Sequence, residues 1–529
     1  MAADPTEAPA GARVPAGRAA LAGAVAAAAA LAAGQVVTAV AGEQTDPVTA
    51  VGNQFVDRYA ASLKDVAVEL FGENDKVALV VGIVVTSLLL GAVLGVVARR
   101  SLAVAGAGLV AFAALGLAAQ LGEPDVPSGV AVASALAGAV VGVGALAGLL
   151  ALARRPAAAD GGPRWTSADD PRRRPADRRS FLLASGGVGV GAALAAWGSG
   201  SLRDRSRIAD QRAAIELPSP VRRTSVTAQT FDDVEGLTPY VVPNDEFYRI
   251  DTALVTPQVD ADSWRLRITG MVDEPFELTF DELLALDAVE EPVTLACVSN
   301  EVGDDLVGNA VWLGVPLPAL LERAGVQDGA TQVVGRSTDG FTAGFPTSLA
   351  TDGRIAMVAY GMNGEPLPAA HGYPARLVVA GLYGYVSATK WLTEIELNRF
   401  DEFDAYWIPR GWSKLGPVKT QSRIDVPRGG GSVDAGTVVV AGVAWAPSRG
   451  IRRVEVQVDD GPWQEARLAG TSNDSTWAQW RLEWDAEPGE HVLRCRATDG
   501  TGETQTAERA DPRPDGATGY HTIRTTVRG

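Results

Sequence analysis

Cysteine and histidine are nearly missing from this 529-residue chain: there are two cysteines, Cys297 and Cys495, and three histidines, His371, His491 and His521. Two cysteines close at most one disulfide, so a disulfide-stapled scaffold is excluded. A zinc site is excluded too, because Cys297 has no second thiol nearby and no histidines cluster. No long apolar stretch holds a histidine, so a bis-histidine haem relay across a membrane is excluded and no haem is expected in this chain. Positive charge is also in short supply. The formal charge is −17, whereas a nucleic-acid partner requires a basic face that displaces phosphate counterions.

Apolar sequence, by contrast, fills the first third. A chain of this length holds about three structural units, and its composition divides it. Residues 20–153 are dominated by Ala, Val, Leu and Gly, whereas 205–529 carry the mixed charge, Trp and Pro of a globular protein. Four stretches, 20–41, 77–98, 102–121 and 129–153, are long enough to cross a hydrocarbon core, which takes roughly 20 helical residues. Residues 1–19 then form an N-terminal cytoplasmic tail, 20–153 a bundle of four transmembrane helices, and 154–179 a basic cytoplasmic linker. Arg13, Arg18, Arg99, Arg100, Arg154 and Arg155 all fall on one side if the spans alternate, and the positive-inside rule makes that side cytoplasmic. The spans carry no Asp, Glu or Lys of the kind that marks an ion path, so anchoring is the expected role.

A further apolar stretch, 180–200, follows "PRRRPADRRS". It reads either as a fifth transmembrane helix or as an internal twin-arginine export signal built on Arg178 and Arg179. Either way, everything after residue 200 is expected outside the cytoplasm. Gly187, Gly189 and Gly191 lie in this stretch without a preceding strand, which reads as close helix packing and not as a dinucleotide loop.

Residues 205–416 mix short β-like runs with helix-like ones and many Gly/Pro turns, the pattern of an α+β domain. Residues 417–529 are almost wholly β. Val454, Val456 and Val458 alternate with polar residues ahead of an Asp459-Asp460-Gly461 turn, as in a hairpin of an immunoglobulin-like sandwich. Cys495 shares a strand face with Leu493 and Ala497 and reads as a buried small hydrophobe.

Cys297, in "TLACVSNEVGDD", has three readings. It is a packed thiol, a nucleophile with His371 as base, or a thiolate ligand to a soft metal held mainly by something other than protein.

Several ordered motifs bear on the choice: "PNDEFYRID" (243–251), "CVSNEVG" (297–303), "AYGMNGEPLPAAHGYPARLVVAG" (359–381), "GYVSATKWL" (384–392) and "GTVVVAGVAWAPSRGIRRVEVQVDDG" (436–461). Together they make residues 225–529 resemble the sulfite oxidase family of molybdenum enzymes. The resemblance implies a molybdenum-molybdopterin cofactor with Cys297 as the metal ligand. It further implies Asn244, Phe247, Tyr248, Arg249, Asn300, His371, Arg376, Ser387, Thr389 and Lys390 as cofactor contacts, and a C-terminal module that often dimerises. The fold class expected is therefore multi-domain: a transmembrane helical bundle, an α+β molybdopterin domain over 205–416, and an all-β immunoglobulin-like sandwich over 417–529. An anionic pterin phosphate needs fixed cations, and Arg249, Arg376 and Lys390 supply them independently of any resemblance.

The pattern departs from the family at two places. Glu301 and Val302 follow Asn300 where sulfite oxidases carry arginines, and Trp412, with Arg410 nearby, stands at the position of their tyrosine. Tryptophan has no acidic phenol proton to give. The function implied is membrane-anchored two-electron oxo-transfer on a small substrate, by sulfite-like oxidation or sulfoxide reduction. Electrons pass to or from an external carrier, Arg249 orients an oxyanion, and Trp412 or Arg410 shapes the entrance. The alternatives are a non-catalytic tethered assembly protein on the same fold, and a thiol hydrolase built on Cys297 and His371.

Overall fold

A computed structural model describes residues 14–41, 45–56, 75–123, 126–154, 176–198, 201–227 and 229–529. The tail to residue 13, the loop 57–74 and most of the basic linker (155–175) lie outside the described residues. The chain divides into two compact units, Met1–Arg207 with Ala253–Val255, and Ile208–Thr252 with Thr256–Gly529.

The first unit is helical. Its long helices are α1 (Ala16–Val40), α3 (Asp75–Val97), α4 (Leu102–Gln120) and α5 (Ser128–Arg154), with a shorter helical segment, α2, at residues 47–56. Ala16–Val40, Ala78–Val97, Leu102–Gln120 and Ser128–Ala153 are each long and apolar enough to cross a membrane. Small residues set how closely they pack. A Cβ on Gly23 of α1 would collide with the Gly91 carbonyl of α3, and one on Gly95 with the Ala19 carbonyl, so these backbones approach closely only because both positions are glycine. Ser101 caps α4 by accepting from the Val104 N–H at 3.2 Å, which fixes the turn after Arg99 and Arg100. A sixth helix, α6 (Ala176–Gly198), runs unbroken through the twin-arginine pair, but its described apolar portion is only Phe181–Ala192.

The second unit is built on four sheets. One orders β1 (Arg222–Arg223), β4 (Val289–Ala296), β5 (Val307–Pro316), β8 (Ala356–Met362) and β10 (Arg376–Val379), with β9 (Glu365–Pro366) paired to β8. A second orders β3 (Phe276–Thr279), β2 (Arg265–Gly270), β11 (Leu392–Asn398), β6 (Gln332–Ser337) and β7 (Thr342–Pro346). Strands β4, β8 and β10 are almost wholly buried, which is why they read as unbroken apolar runs and not as alternation. Two further sheets stack at the C-terminal end around Val440, Val454, Trp480, Leu493 and Cys495. Cys495 is fully buried, receives the Ser422 hydroxyl at 3.3 Å, and has its thiol pushed up to about 12 by burial, as expected of an inert packed sulfur.

The two pairs of sheets share a core. Trp445 and Trp477 belong to the same buried cluster as Val293, Leu377 and Trp312. Trp477 donates its ring N–H to the Tyr240 carbonyl at 2.9 Å and its backbone N–H to the Thr294 hydroxyl at 2.8 Å.

Candidate functional site

Cys297 directly follows β4 in the connection to β5, and Ala296 pairs with Val307 at the strand ends. The loop is closed from within. The Cys297 N–H donates to the Leu306 carbonyl at 2.9 Å, and the Asn300 side-chain oxygen accepts from the Leu306 N–H at 2.8 Å. The Ser299 N–H points at the Cys297 sulfur at 3.4 Å. The loop is also held from outside. Arg423 donates to the Asp304 carbonyl at 2.8 Å, and Gly303, at φ +93°, lies under the ring of His521. Asn300 thus acts as a staple of the loop that presents Cys297.

A second group assembles around His371, at the end of a single 3-10 turn (Ala369–His371). Its Nε2–H donates to the Asn244 carbonyl at 2.9 Å, which leaves Nδ1 as the ring's acceptor. The Phe247 ring meets His371 edge-on at 5.6 Å and Trp312 edge-on at 5.8 Å, and stacks on Tyr248 at 5.1 Å. Arg376, the first residue of β10, donates to the His371 carbonyl at 3.1 Å and lies 5.0 Å above Trp312. The five-residue spacing that the sequence shows between His371 and Arg376 therefore folds into direct contact.

Lys390 closes the constellation. Its ammonium donates to Asp251 at 2.7 Å and to the Ala370 carbonyl at 3.1 Å. Arg249 reaches the same Asp251 oxygen at 2.9 Å and the Thr256 hydroxyl at 2.9 Å. Arg249 is 42% exposed and Lys390 only 9% by side chain, so the arginine marks the rim and the lysine the interior. Asp251 is the residue that sequence reading missed, although it ends the quoted segment "PNDEFYRID". Asn363, which donates to the Asn244 side chain at 2.9 Å, and Trp312 were also not singled out. Ser387 and Thr389 are fully buried and direct their hydroxyls to the carbonyls of Tyr383 and Gly335 at 3.1 and 3.4 Å, supporting the chain around Lys390. Trp412 packs on Tyr385 and Trp407, and Arg410 lies over the Tyr406 ring at 3.7 Å.

The site buries two cations, Arg376 and Lys390. Burial lowers Arg376 to about 10, and no carboxylate pairs with it among the described residues. Burial likewise lowers Lys390 to about 8 despite Asp251. A buried guanidinium without a counter-ion is costly unless an anion reaches it. The donor set thus fits an anionic pterin cofactor carrying a thiolate-bound metal. Burial, reinforced by Cys297 and opposed by Arg376, raises the Tyr248 phenol well above its ordinary range; Tyr383 is raised to about 12, again by burial first. Both phenols are therefore hydrogen-bond donors at neutral pH.

Burial first, and then Arg376, lowers His371 to about 4; burial first, and then Arg423, lowers His521 to about 4. Below pH 6.5 the unfolded chain protonates these rings while the folded chain resists until about 4. Stability is therefore full above 6.5 and falls as the pH drops toward 4, by roughly 3 kcal/mol per ring. His491, hydrogen-bonded to Asp459, shifts the opposite way. The denaturation midpoint of the full chain in detergent is expected to fall over this window, and to fall less in a His371→Gln/His521→Gln variant. An equally steep profile in that variant would refute the assignment.

The loop-held Cys297 and the His371, Arg376 and Lys390 group belong to one α+β domain. The model of the oxidoreductase molybdopterin binding domain matches residues 253–407. An uncharacterized oxidoreductase, YuiH, of Bacillus subtilis (strain 168) is 34% identical over 160 residues, covering 30% of this chain and 76% of that protein. Mitochondrial sulfite oxidase of Macaca fascicularis is 29% identical over 309 residues, covering 49% of this chain and 56% of that protein. Among solved structures, the sulfane dehydrogenase SoxCD of Paracoccus pantotrophus matches with a TM-score of 0.49 at 25% identity, over 54% of this chain and 82% of that one. The chain spans little more than half the length of the mitochondrial sulfite oxidases it matches. It belongs to the sulfite oxidase family of molybdopterin-binding oxidoreductases.

Proposed function

We propose that the protein is a membrane-anchored, extracytoplasmic molybdenum-dependent oxidoreductase that performs two-electron oxo-transfer on a small substrate, by sulfite-like oxidation or sulfoxide reduction. The observation that carries this reading is the buried Arg376, which has no carboxylate partner among the described residues, in the same domain as the loop-held Cys297.

Bound there, the molybdenum-molybdopterin group supplies the two-electron redox step. The chain's own residues do the rest. Cys297 would ligate the metal through its sulfur, on a loop held by the Ser299 N–H contact and by Asn300. Arg376 and Lys390 would hold the anionic pterin, and His371, neutral at physiological pH, would offer Nδ1 to a donor on it. Tyr248 and Tyr383, both kept protonated by burial, would serve as hydrogen-bond donors to the bound group. Arg249, at the rim, orients an entering oxyanion or polarised S=O group while Asp251 balances its charge, and Trp412 with Arg410 lines the approach.

Four apolar helices support the membrane anchor, and the arginines grouped on one side of them support the extracytoplasmic placement. Residues 180–200 serve as a fifth span or as an export signal. The two stacked C-terminal sheets are read as an immunoglobulin-like module with capacity to form a homodimer. An external electron carrier completes turnover.

Elemental analysis of the chain purified from its native membrane tests the proposal. About one molybdenum per chain is expected. Well-folded native protein without molybdenum would leave a tethered scaffold on the family's fold.

A further inference from the structure

Arg423 lies on β12 (Gln421–Val426), in the C-terminal sheets, and is buried. Its guanidinium is shared three ways. Nε donates to the Asp425 carboxylate at 2.6 Å, one terminal nitrogen to the Asp304 carbonyl at 2.8 Å, and the other to the Thr238 hydroxyl at 2.8 Å. Asp425 closes the set by accepting the Thr238 N–H at 3.1 Å.

Two of these partners lead into the candidate site. Asp304 belongs to the loop that carries Cys297. Gly303 beside it lies against the His521 ring, whose Nδ1 accepts the N–H of Ile424, the residue after Arg423. Thr238 opens the segment that leads to Asn244, Phe247 and Tyr248. That segment is fixed again at Tyr240, whose carbonyl accepts the Asn309 amide at 2.9 Å, and at Val242, whose N–H donates to the Asn309 carbonyl at 2.9 Å. Asn309 stands opposite Thr294, which is on the strand that delivers Cys297.

Neutralising Asp425 occupies one nitrogen only. The other two span from the cysteine loop to the Asn244 segment, a reach that a planar fork has and a compact ammonium lacks. A metal held by a protein sulfur on one side and by a cofactor on the other responds to any relative shift of the two holders, and groups behind a ligand tune the metal through the ligand's orientation.

We infer that Arg423 is a positioning residue: from the C-terminal sheets it sets the place of the Cys297 loop relative to the Asn244 segment, and so the balance between oxidised and reduced metal. The inference rests on Cys297 being the metal ligand, as in the proposed function.

Three substitutions test it in the full chain purified with its cofactor from the native membrane. Arg423→Lys keeps a positive charge beside Asp425 but does not reach both other acceptors. Thr238→Val removes one of those acceptors, and Thr238→Ser keeps its hydroxyl. The EPR signal of the one-electron-reduced metal and its reduction potential are recorded at equal molybdenum content. Arg423→Lys and Thr238→Val should alter the signal and shift the oxidised-to-reduced ratio at a fixed potential roughly tenfold, taking the lower end of what a group behind a metal ligand contributes. Thr238→Ser should keep the wild-type signal. Val440→Ala, a core truncation in the same sheets, lowers stability alone and should keep it too. A wild-type signal and potential in either Arg423→Lys or Thr238→Val overturn the proposal, as does the same shift in Val440→Ala. Should Arg423→Lys fail to fold, the Thr238 pair decides.

A second measurement needs no metal. In the folded, cofactor-free full chain, Arg423→Lys should speed alkylation of Cys297 by iodoacetamide about tenfold, because the loss of one hydrogen bond eases local opening of the loop. The buried Cys495 serves as the unreactive internal reference. An unchanged rate at Cys297 overturns the positioning role. Wild-type chain that holds no molybdenum sinks the proposed function instead, and the alkylation rates then decide the hold on the loop by themselves.

Discussion

A Cys297→Ser chain is expected to fold, to keep its pterin and to lose two-electron turnover by more than about a hundredfold. The partners behind a metal ligand are each worth roughly 10–100-fold, so the ligand itself is worth more. The substitution changes one atom but replaces a soft thiolate with a hydroxyl that stays protonated at neutral pH. Pterin retention should persist because the cations that fit it, Arg376 and Lys390, are held by other contacts: Arg376 by the His371 carbonyl and Lys390 by Asp251 and the Ala370 carbonyl. Pterin fluorescence after denaturation, together with turnover of sulfite and of a sulfoxide, makes the measurement. Full turnover in the serine chain would remove Cys297 from the metal. Covalent thiol labelling with turnover in molybdenum-free protein would revive the hydrolase alternative.

Gly303→Ala is expected to destabilise the soluble unit by roughly 2–6 kcal/mol, the sum of a non-glycine residue forced to positive φ and an overpacked contact. Gly303 sits at φ +93°, and its new Cβ would run into the imidazole of His521. The same ring accepts the Ile424 N–H at 2.9 Å, so it is not free to swing away. The loop carrying Cys297 is then displaced along with it. Thermal unfolding of the single variants and of Gly303→Ala/His521→Ala checks this. The clash disappears in the double variant while the backbone strain stays, so the two effects should be non-additive. Strict additivity would show that glycine and histidine do not meet.

Much of this site was legible in the sequence, for identifiable reasons. Cys297, Asn300, His371 and Arg376 act through short loops and a single turn, where spacing along the chain predicts proximity in space. The four apolar helices were legible because span length and composition are local properties. Asp251 was not, because its partner Lys390 lies 139 residues away and one acidic residue in a polar segment gives no signal of its own. Nor was the meeting of Gly303 with His521, which depends on how the C-terminal sheets pack on the cysteine loop. Ser387 and Thr389 were read as cofactor contacts, and the structure shows the backbone carbonyls that their hydroxyls reach. The fold's main division into helical and soluble units follows composition, while the shared core around Trp445 and Trp477 has no counterpart in any one segment.

That shared core carries a practical consequence for anyone dissecting the chain. Trp477 is wholly buried, and its two N–H groups end on Tyr240 and Thr294, far upstream. A fragment ending near residue 416 would lose these anchors, the Arg423 contact that steadies the cysteine loop, and the His521 ring above it. Expression trials should accordingly carry residues 208–529 as one piece, since the C-terminal sheets share a core with the rest of the unit and brace the cysteine loop.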